Sequence, residues 1–258
     1  MALDVERWRA VALEAADAAD AVSLAHFGGQ VAADRKADGS LVTAADRAVE
    51  TVVREQLAAA APDHAILGEE QGGALHGDTP TWVVDPIDAT NNFLRGIPVY
   101  ATLIGLVVAG TPVVGVASAP AMGERWDAAA GVGARRNGIP VTVSGIDDLA
   151  RAQVLHGGLD WWRSTPGHWE ALGRLTDAAW RTRGFGDFWM HLLVAGGHAE
   201  VAVERDLKPW DIAALECIVT EAGGRMTSYD GGSSLATGET VCTNGLLHDE
   251  VLALLAER

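Results

Sequence analysis

The chain has 258 residues, 48% of them hydrophobic, enough for one large domain or two smaller ones around a sizeable core. Its 35 acidic against 19 basic residues leave a formal net charge of −16, which argues against nucleic acid and anionic membrane surfaces as partners. A phosphorylated small molecule stays compatible, because bound cations would invert the field locally.

No apolar run is long enough to span a bilayer, and the N-terminus lacks a signal-peptide pattern. Cys217 and Cys242 alone make no disulfide framework. Together these features predict a soluble, cytoplasmic protein. Residues 3–26 read as an amphipathic helix, with Val5, Trp8, Ala12, Ala15, Ala19 and Val22 recurring at spacings of three and four and Gly28-Gly29 ending it. A turn follows at Lys36–Ser40. Thr43 is then placed to cap a second helix over 44–60, whose first turns carry Asp46 and Glu50, where acids suit the helix dipole. Ala65-Ile66-Leu67 is a short strand, and 71–81 a polar, glycine-rich loop.

The stretch from Trp82 to Phe93 organises the rest. Three β-formers run into Asp85, and Pro86 is expected to stop the strand for want of a donor. Asp85 then sits at a strand end and Asp88 on the following loop, with a helix or turn beginning near Thr90 and Asn91. Strands over 100–108, 112–118 and 124–130 form an antiparallel meander, with a turn over 134–140 and a closing strand over 141–143. A domain boundary is expected at 144–151, dividing the chain into halves 1–143 and 144–258. The second half alternates: strands over 152–156, 182–185, 200–203 and 240–243, and helices over 165–178, 189–196, 210–222 and 246–257. Local structural roles account for several polar residues in this half. Asp187 reads as an N-cap for the 189–196 helix and Asp211 as a helix-start acid, while His191 and His198 read as ordinary helix residues without a functional role.

Gly68-Glu69-Glu70, then Asp85-Pro86-Ile87-Asp88-Ala89-Thr90, then Trp210-Asp211 followed by Glu221-Ala222-Gly223-Gly224, occur in that order. Together with Lys36, the Thr43–Asp46 segment and the final strand, they resemble the inositol monophosphatase family of Mg²⁺-dependent phosphomonoesterases over nearly the whole chain. Clustered carboxylates without Cys or His suit Mg²⁺ better than Zn²⁺.

The resemblance implies the layered α/β sugar-phosphatase fold, α-β-α-β-α, and a homodimer. It implies that Glu69, Asp85, the carbonyl of Ile87, Asp88 and Asp211 hold two or three Mg²⁺ ions. Glu69 and Thr90, with Asp46 behind Thr90, would orient the attacking water, and the N–H groups of Ala89 and Thr90 would hold phosphate oxygens. Lys36 falls at a basic position near the site. Ala89 departs from the family's usual Gly, so a negative φ is expected there; Asn91 is a second departure.

Arg95–Pro98, Arg183–Trp189 and Val201–Glu204 look like the histidinol-phosphatase branch. That implies substrate contacts from Asp187 and Glu204, and a role for Arg183 in pairing with an acid or facing the phosphate. Inositol phosphate, another sugar phosphate or a nucleotide 3′-phosphate are alternative substrates of the same chemistry. A non-catalytic protein on the same fold would require a lost ligand, and none is lost.

Overall fold

The computed structural model describes residues 3–29, 33–35 and 41–256. Helix α1 (Val5–His26), strands β1 (Ala33–Arg35) and β2 (Leu41–Thr43), and helix α2 (Ala44–Ala60) open the chain. Strands β3 (Ala65–Gly68) and β4 (Thr81–Asp88), helix α3 (Thr90–Leu94), and strands β5 (Ala101–Val108), β6 (Thr111–Ala119), β7 (Glu124–Ala129), β8 (Gly133–Arg136) and β9 (Ile139–Val141) follow. After β10 (Gln153–His156) come α4 (Leu159–Ser164), α5 (His168–Ala178), β11 (Arg181–Arg183), α6 (Asp187–Ala195), β12 (Val201–Glu204) and α7 (Pro209–Glu221). The chain closes with β13 (Arg225–Thr227), α8 (Ser234–Thr237), β14 (Thr240–Thr243) and α9 (His248–Ala256).

Strands β3 to β9 form a seven-stranded sheet in sequence order, and β11-β10-β12-β14-β13 a five-stranded one. Helices α1 and α2 cover one face of the larger sheet through Ala12, Ala15, Val49 and Val53 against Trp82, Val84, Ile104 and Val116. Helices α6 and α7 fill the space between the sheets, and α4, α5 and α9 cover the far face of the smaller one. The architecture is the layered α-β-α-β-α arrangement expected. Among the described residues no helix is long and apolar enough to cross a membrane. Cys217 and Cys242 are buried and free.

Several local expectations are corrected. Pro86 does not end its strand: β4 continues to Asp88, and the β4–β5 register shifts between Asp85 and Asp88. The proline's missing donor falls in this bulge, and its carbonyl accepts from Thr102 Oγ1 at 2.8 Å. Two residues three apart on a regular strand face opposite sides. Here Asp85 pairs with Leu103 and Asp88 with Ala101, both on the α7 side, so the bulge turns the two carboxylates the same way.

The expected turn over 134–140 is a hairpin, β8 and β9 joined at Asn137-Gly138, both with positive φ (49° and 77°). The helix expected over 165–178 begins only at His168, because Gly167 before it holds φ +80°, and Pro166 with Gly167 separates it from a short helix, α4, that the expectation did not include. Residues 225–227 and 234–237 form a strand and a short helix that the glycine-rich sequence around them conceals.

One close approach sets the depth of the central layer. Gly105 and Gly115 lie opposite each other in β5 and β6. A Cβ on Gly105 would come within 2.9 Å of Ala213 Cβ, and one on Gly115 within 2.3 Å of the Ala214 carbonyl oxygen. Helix α7 therefore rests on bare backbone, which brings its first turn to the end of β4.

Candidate active site

The site lies where the end of β4, the Glu69 turn and the start of α7 meet. Oxygens of Asp85, Asp88 and Asp211 lie within 4.8 Å of one another. Each carboxylate is aimed by a backbone donor. Asp85 Oδ1 accepts from the N–H of Ile87 at 3.0 Å, Asp88 Oδ2 from Phe188 at 2.7 Å, and Asp211 Oδ2 from Lys208 at 2.7 Å. Asp211 is the third residue of α7, after Pro209 in the first helical position, and its side chain reaches back to the residue before the helix. Glu69 lines the same cavity of about 300 Å³ together with Ile87, Ala89 and Thr90.

Burial, and then the like charges of Glu69, Asp88 and Asp211, push the Asp85 carboxyl well above the usual range. Burial and then the charge of Asp187 do the same to Asp88. Burial lifts Asp211 to about 6 even though the Lys208 N–H opposes the shift. Three such groups stay ionised together only beside cations, and an all-oxygen donor set fits a hard divalent ion.

Asp46 is wholly buried. One oxygen accepts from the Thr43 N–H at 2.7 Å and the Thr43 hydroxyl at 2.5 Å, closing a capping box on α2. The other lies 3.4 Å from Thr90 Oγ1, which is also 3.1 Å from the Ile87 carbonyl. The helix-cap role and a place behind Thr90 therefore coexist.

Ala89 contradicts the expectation of negative φ: its angles are φ 65°, ψ 46°. It is the single residue between the last of β4 and the first of α3, and the left-handed conformation turns the chain in that one step. Its carbonyl accepts from the N–H groups of Asn92 and Phe93 at 2.9 and 3.1 Å. Ala89 and Thr90, where α3 begins, both line the cavity.

A recess of about 180 Å³ adjoins the carboxylates, sharing Asp88 and Asp211 with the first cavity. Asp187, Phe188 and His191 from α6, Glu204 from the end of β12, and Leu207 and Leu215 form its walls. Asp187 is the first residue of α6 rather than its cap, and holds φ 48°, a strained conformation of the kind concentrated at functional sites. Burial, then Asp187 and Asp211, raise the Glu204 carboxyl well above its ordinary value. Arg183 is exposed at the edge of the smaller sheet, donates from Nη1 to the Thr182 carbonyl at 2.7 Å, and lines neither cavity. Lys36 lies outside the described residues.

Three contributors escape sequence reading. Glu50 is not a surface acid of α2 but wholly buried. It accepts from Arg54 Nε at 2.8 Å and from the N–H groups of Glu70 and Gln71 at 2.6 and 3.0 Å, fixing the turn that carries Glu69. Gly68 makes room for it, since a Cβ there would meet Glu50 Oε1 at 2.2 Å. The Glu50–Arg54 spacing was a visible signal; the burial was not. His191 is buried against the recess, and Lys208, ion-paired with Asp206 at 3.2 Å, supplies a cation on the rim of the larger cavity.

Residues 4–258 match the model of the inositol monophosphatase family. The chain belongs to this family. Histidinol-phosphatase of Mycobacterium tuberculosis is 46% identical over 251 residues, 95% of this chain and 96% of that protein. Histidinol-phosphatase of Streptomyces coelicolor is 41% identical, covering 94% of each. The solved inositol monophosphatase of Anabaena superposes with a TM-score of 0.85 at 33% identity, covering 98% of this chain and 96% of that one. The protein is a phosphomonoester hydrolase, and its sequence places it with the histidinol-phosphatases of the family.

Proposed function

We propose that this phosphatase hydrolyses histidinol phosphate, using Mg²⁺ ions held by Glu69, Asp85, Asp88, Asp211 and the Ile87 carbonyl. Bound Mg²⁺ would neutralise the phosphate dianion, lower the pKa of a coordinated water and stabilise the leaving alkoxide. The chain's own residues aim the reaction. Thr90 stands between the cavity and Asp46, so passing its hydroxyl proton to Asp46 frees a lone pair for a proton of the attacking water. Glu69, held by the Glu50-braced turn, orients that water from the other side. The N–H groups of Ala89 and Thr90 receive phosphate oxygens.

The observation that carries the substrate assignment is the acidic recess beside the carboxylate cluster. Glu204 Oε2 is buried there without a hydrogen-bond partner among the described residues, beside Asp187 and the flat ring of Phe188. An ammonium group next to the phosphate ester would satisfy the acids, and an imidazole would lie on the ring. The two histidinol-phosphatases at 46% and 41% identity support the same reading. Inositol 1-phosphate is the second reading, favoured by the likeness to the Anabaena enzyme.

The test is Mg²⁺-dependent phosphate release from histidinol phosphate, inositol 1-phosphate, fructose 1,6-bisphosphate and a 3′,5′-bisphosphonucleoside. Histidinol phosphate is expected to turn over fastest. Glu204→Gln should lower its kcat/KM about ten- to a hundredfold relative to that of phenyl phosphate, the worth of one hydrogen bond to a charged group. Faster release from inositol 1-phosphate by the unmodified enzyme moves the assignment to the second reading.

A further inference from the structure

Asp187 and His191 are four residues apart on α6 and both face the recess. His191 is 1% exposed, and its Nε2 lies 3.9 Å from Glu204 Oε2. That distance is too long for a direct hydrogen bond. His191 Nδ1 and Glu204 Oε2 are also buried without a hydrogen-bond partner among the described residues. A buried imidazole and a buried carboxylate are thus held side by side and left uncompleted. Because burial pushes the His191 ring down to about 3, it is neutral and offers an acceptor lone pair.

We propose that His191 is a specificity-determining residue, which together with Glu204 receives the ammonium group of an amine-bearing phosphomonoester in a seat that Gly157 keeps open. The proposal rests on the reading of this recess as the amine end of the substrate site. One nitrogen about 2.9 Å from both acceptors spans their separation. A polyol hydroxyl has a single proton and serves one acceptor, whereas an alkylammonium has three and serves His191 and Glu204 together, with one left for Asp187.

Gly157 follows β10, whose last residues run parallel to the end of β12. A Cβ at Gly157 would fall 1.8 Å from Glu204 Oε1, so the carboxylate occupies the space that a side chain would take. Leu207 and Leu215 line the rest of the recess and weaken competition from water.

The experiment compares kcat/KM for O-phosphoethanolamine and for propyl phosphate, which differ by an ammonium in place of a methyl group. The Mg²⁺-supplied enzyme is expected to prefer the amine about tenfold or more, the worth of a charge-assisted hydrogen bond. His191→Phe keeps the ring and removes both nitrogens, and should erase most of that preference. His191→Gln, which restores an acceptor, should recover it. Gly157→Ala, which displaces Glu204 without altering it, should lose it independently of any effect of the His191 variants on folding.

A ratio unchanged in His191→Phe overturns the proposal, as does an unmodified enzyme without the preference; a ratio unchanged in Gly157→Ala overturns the part given to Glu204 and Gly157. Failure of the substrate reading looks different. If histidinol phosphate is a poor substrate while the amine preference persists and depends on His191, only the named substrate falls. If histidinol phosphate is a good substrate and His191→Phe slows it no more than propyl phosphate, only the role of His191 falls.

Discussion

The end of β4 and the end of β12 confront the same electrostatic difficulty with different surroundings. Each buries carboxylates whose pKa values rise first through desolvation and then through one another. At β4 the acids are Asp85, Asp88 and Asp211, with oxygens within 4.8 Å of one another and each aimed by a backbone N–H. At β12 a single glutamate shares its recess with Asp187, an imidazole, a phenyl ring and two leucines, and with Asp88 and Asp211 where the recess meets the cluster. Close-set, backbone-fixed oxygens suit a small hard cation. A spaced acceptor pair with apolar walls suits a larger organic one. On the proposed function, the first arrangement would serve any phosphomonoester and the second would choose among them. Asp88 joins the two, because its carboxylate accepts the N–H of Phe188 at the start of α6.

The comparison breaks most sharply at Asp85. Asp85→Asn should lower kcat by about three orders of magnitude or more, the scale of losing several kcal/mol of metal-derived stabilisation. The metal-free variant should nonetheless melt higher than the unmodified protein at pH 7.5, since a like charge has been removed. The sign follows from the raised values: a carboxyl that holds its proton more tightly folded than unfolded stabilises the fold below about pH 4 and loses that contribution as pH rises through its folded pKa. For Asp211 the window runs from about 4, the ordinary aspartate value, to about 6. Thermal melts of metal-free protein across this range should fall with pH, and Mg²⁺ at pH 7.5 should restore the loss. A metal-free Asp85→Asn protein less stable than the unmodified one would show that the cluster is not strained by its own charge.

Thr90→Ala should reduce kcat about a hundredfold with little change in KM, as expected for a group that acts on the water's proton rather than on the bound substrate. Steady-state kinetics with histidinol phosphate and phenyl phosphate should show equal losses on both, which separates this end of the site from the recess. Near-normal turnover would leave Thr90 a helix-start residue only.

The smallest effect is expected at Ala89. Ala89→Gly removes a Cβ from a left-handed residue and should stabilise the protein by about 1 kcal/mol, read from denaturant midpoints. A destabilised variant would show that the methyl group's packing against the α1–α2 core outweighs the backbone strain.

Much of the molecule was legible residue by residue. Helix α1 follows its alanine spacing, Thr43 caps α2, and the β5–β6–β7 meander lies between its glycine and proline breaks. Asp85, Asp88, Asp211 and Glu69 reach one cavity, as the ordered motifs implied. Arg183 ends exposed on an edge strand, because a motif match gives a residue's order along the chain and not the side of a strand it occupies. The burial of Glu50 and His191 is not legible, because an acid or a histidine on a helix looks the same in sequence whether its face meets solvent or another layer.

The sequence by itself determined the local periods, the breaks and the kinds of side chain available: hard oxygen ligands, two free thiols, and an acid-rich chain suited to a cation-assisted phosphate. Those properties depend on neighbours a few residues away. Only the tertiary structure decided that Asp85 and Asp88 share a face, through a bulge paired to β5. It also decided that Asp211 sinks to their level, because α7 rests on Gly105 and Gly115. The seat formed by Gly157, His191 and Glu204 likewise exists only once β10, α6 and β12 are packed. Convergence of this kind depends on contacts between residues far apart in the chain, such as Asp88 with Phe188, and no pattern of period 2 or 3.6 encodes it.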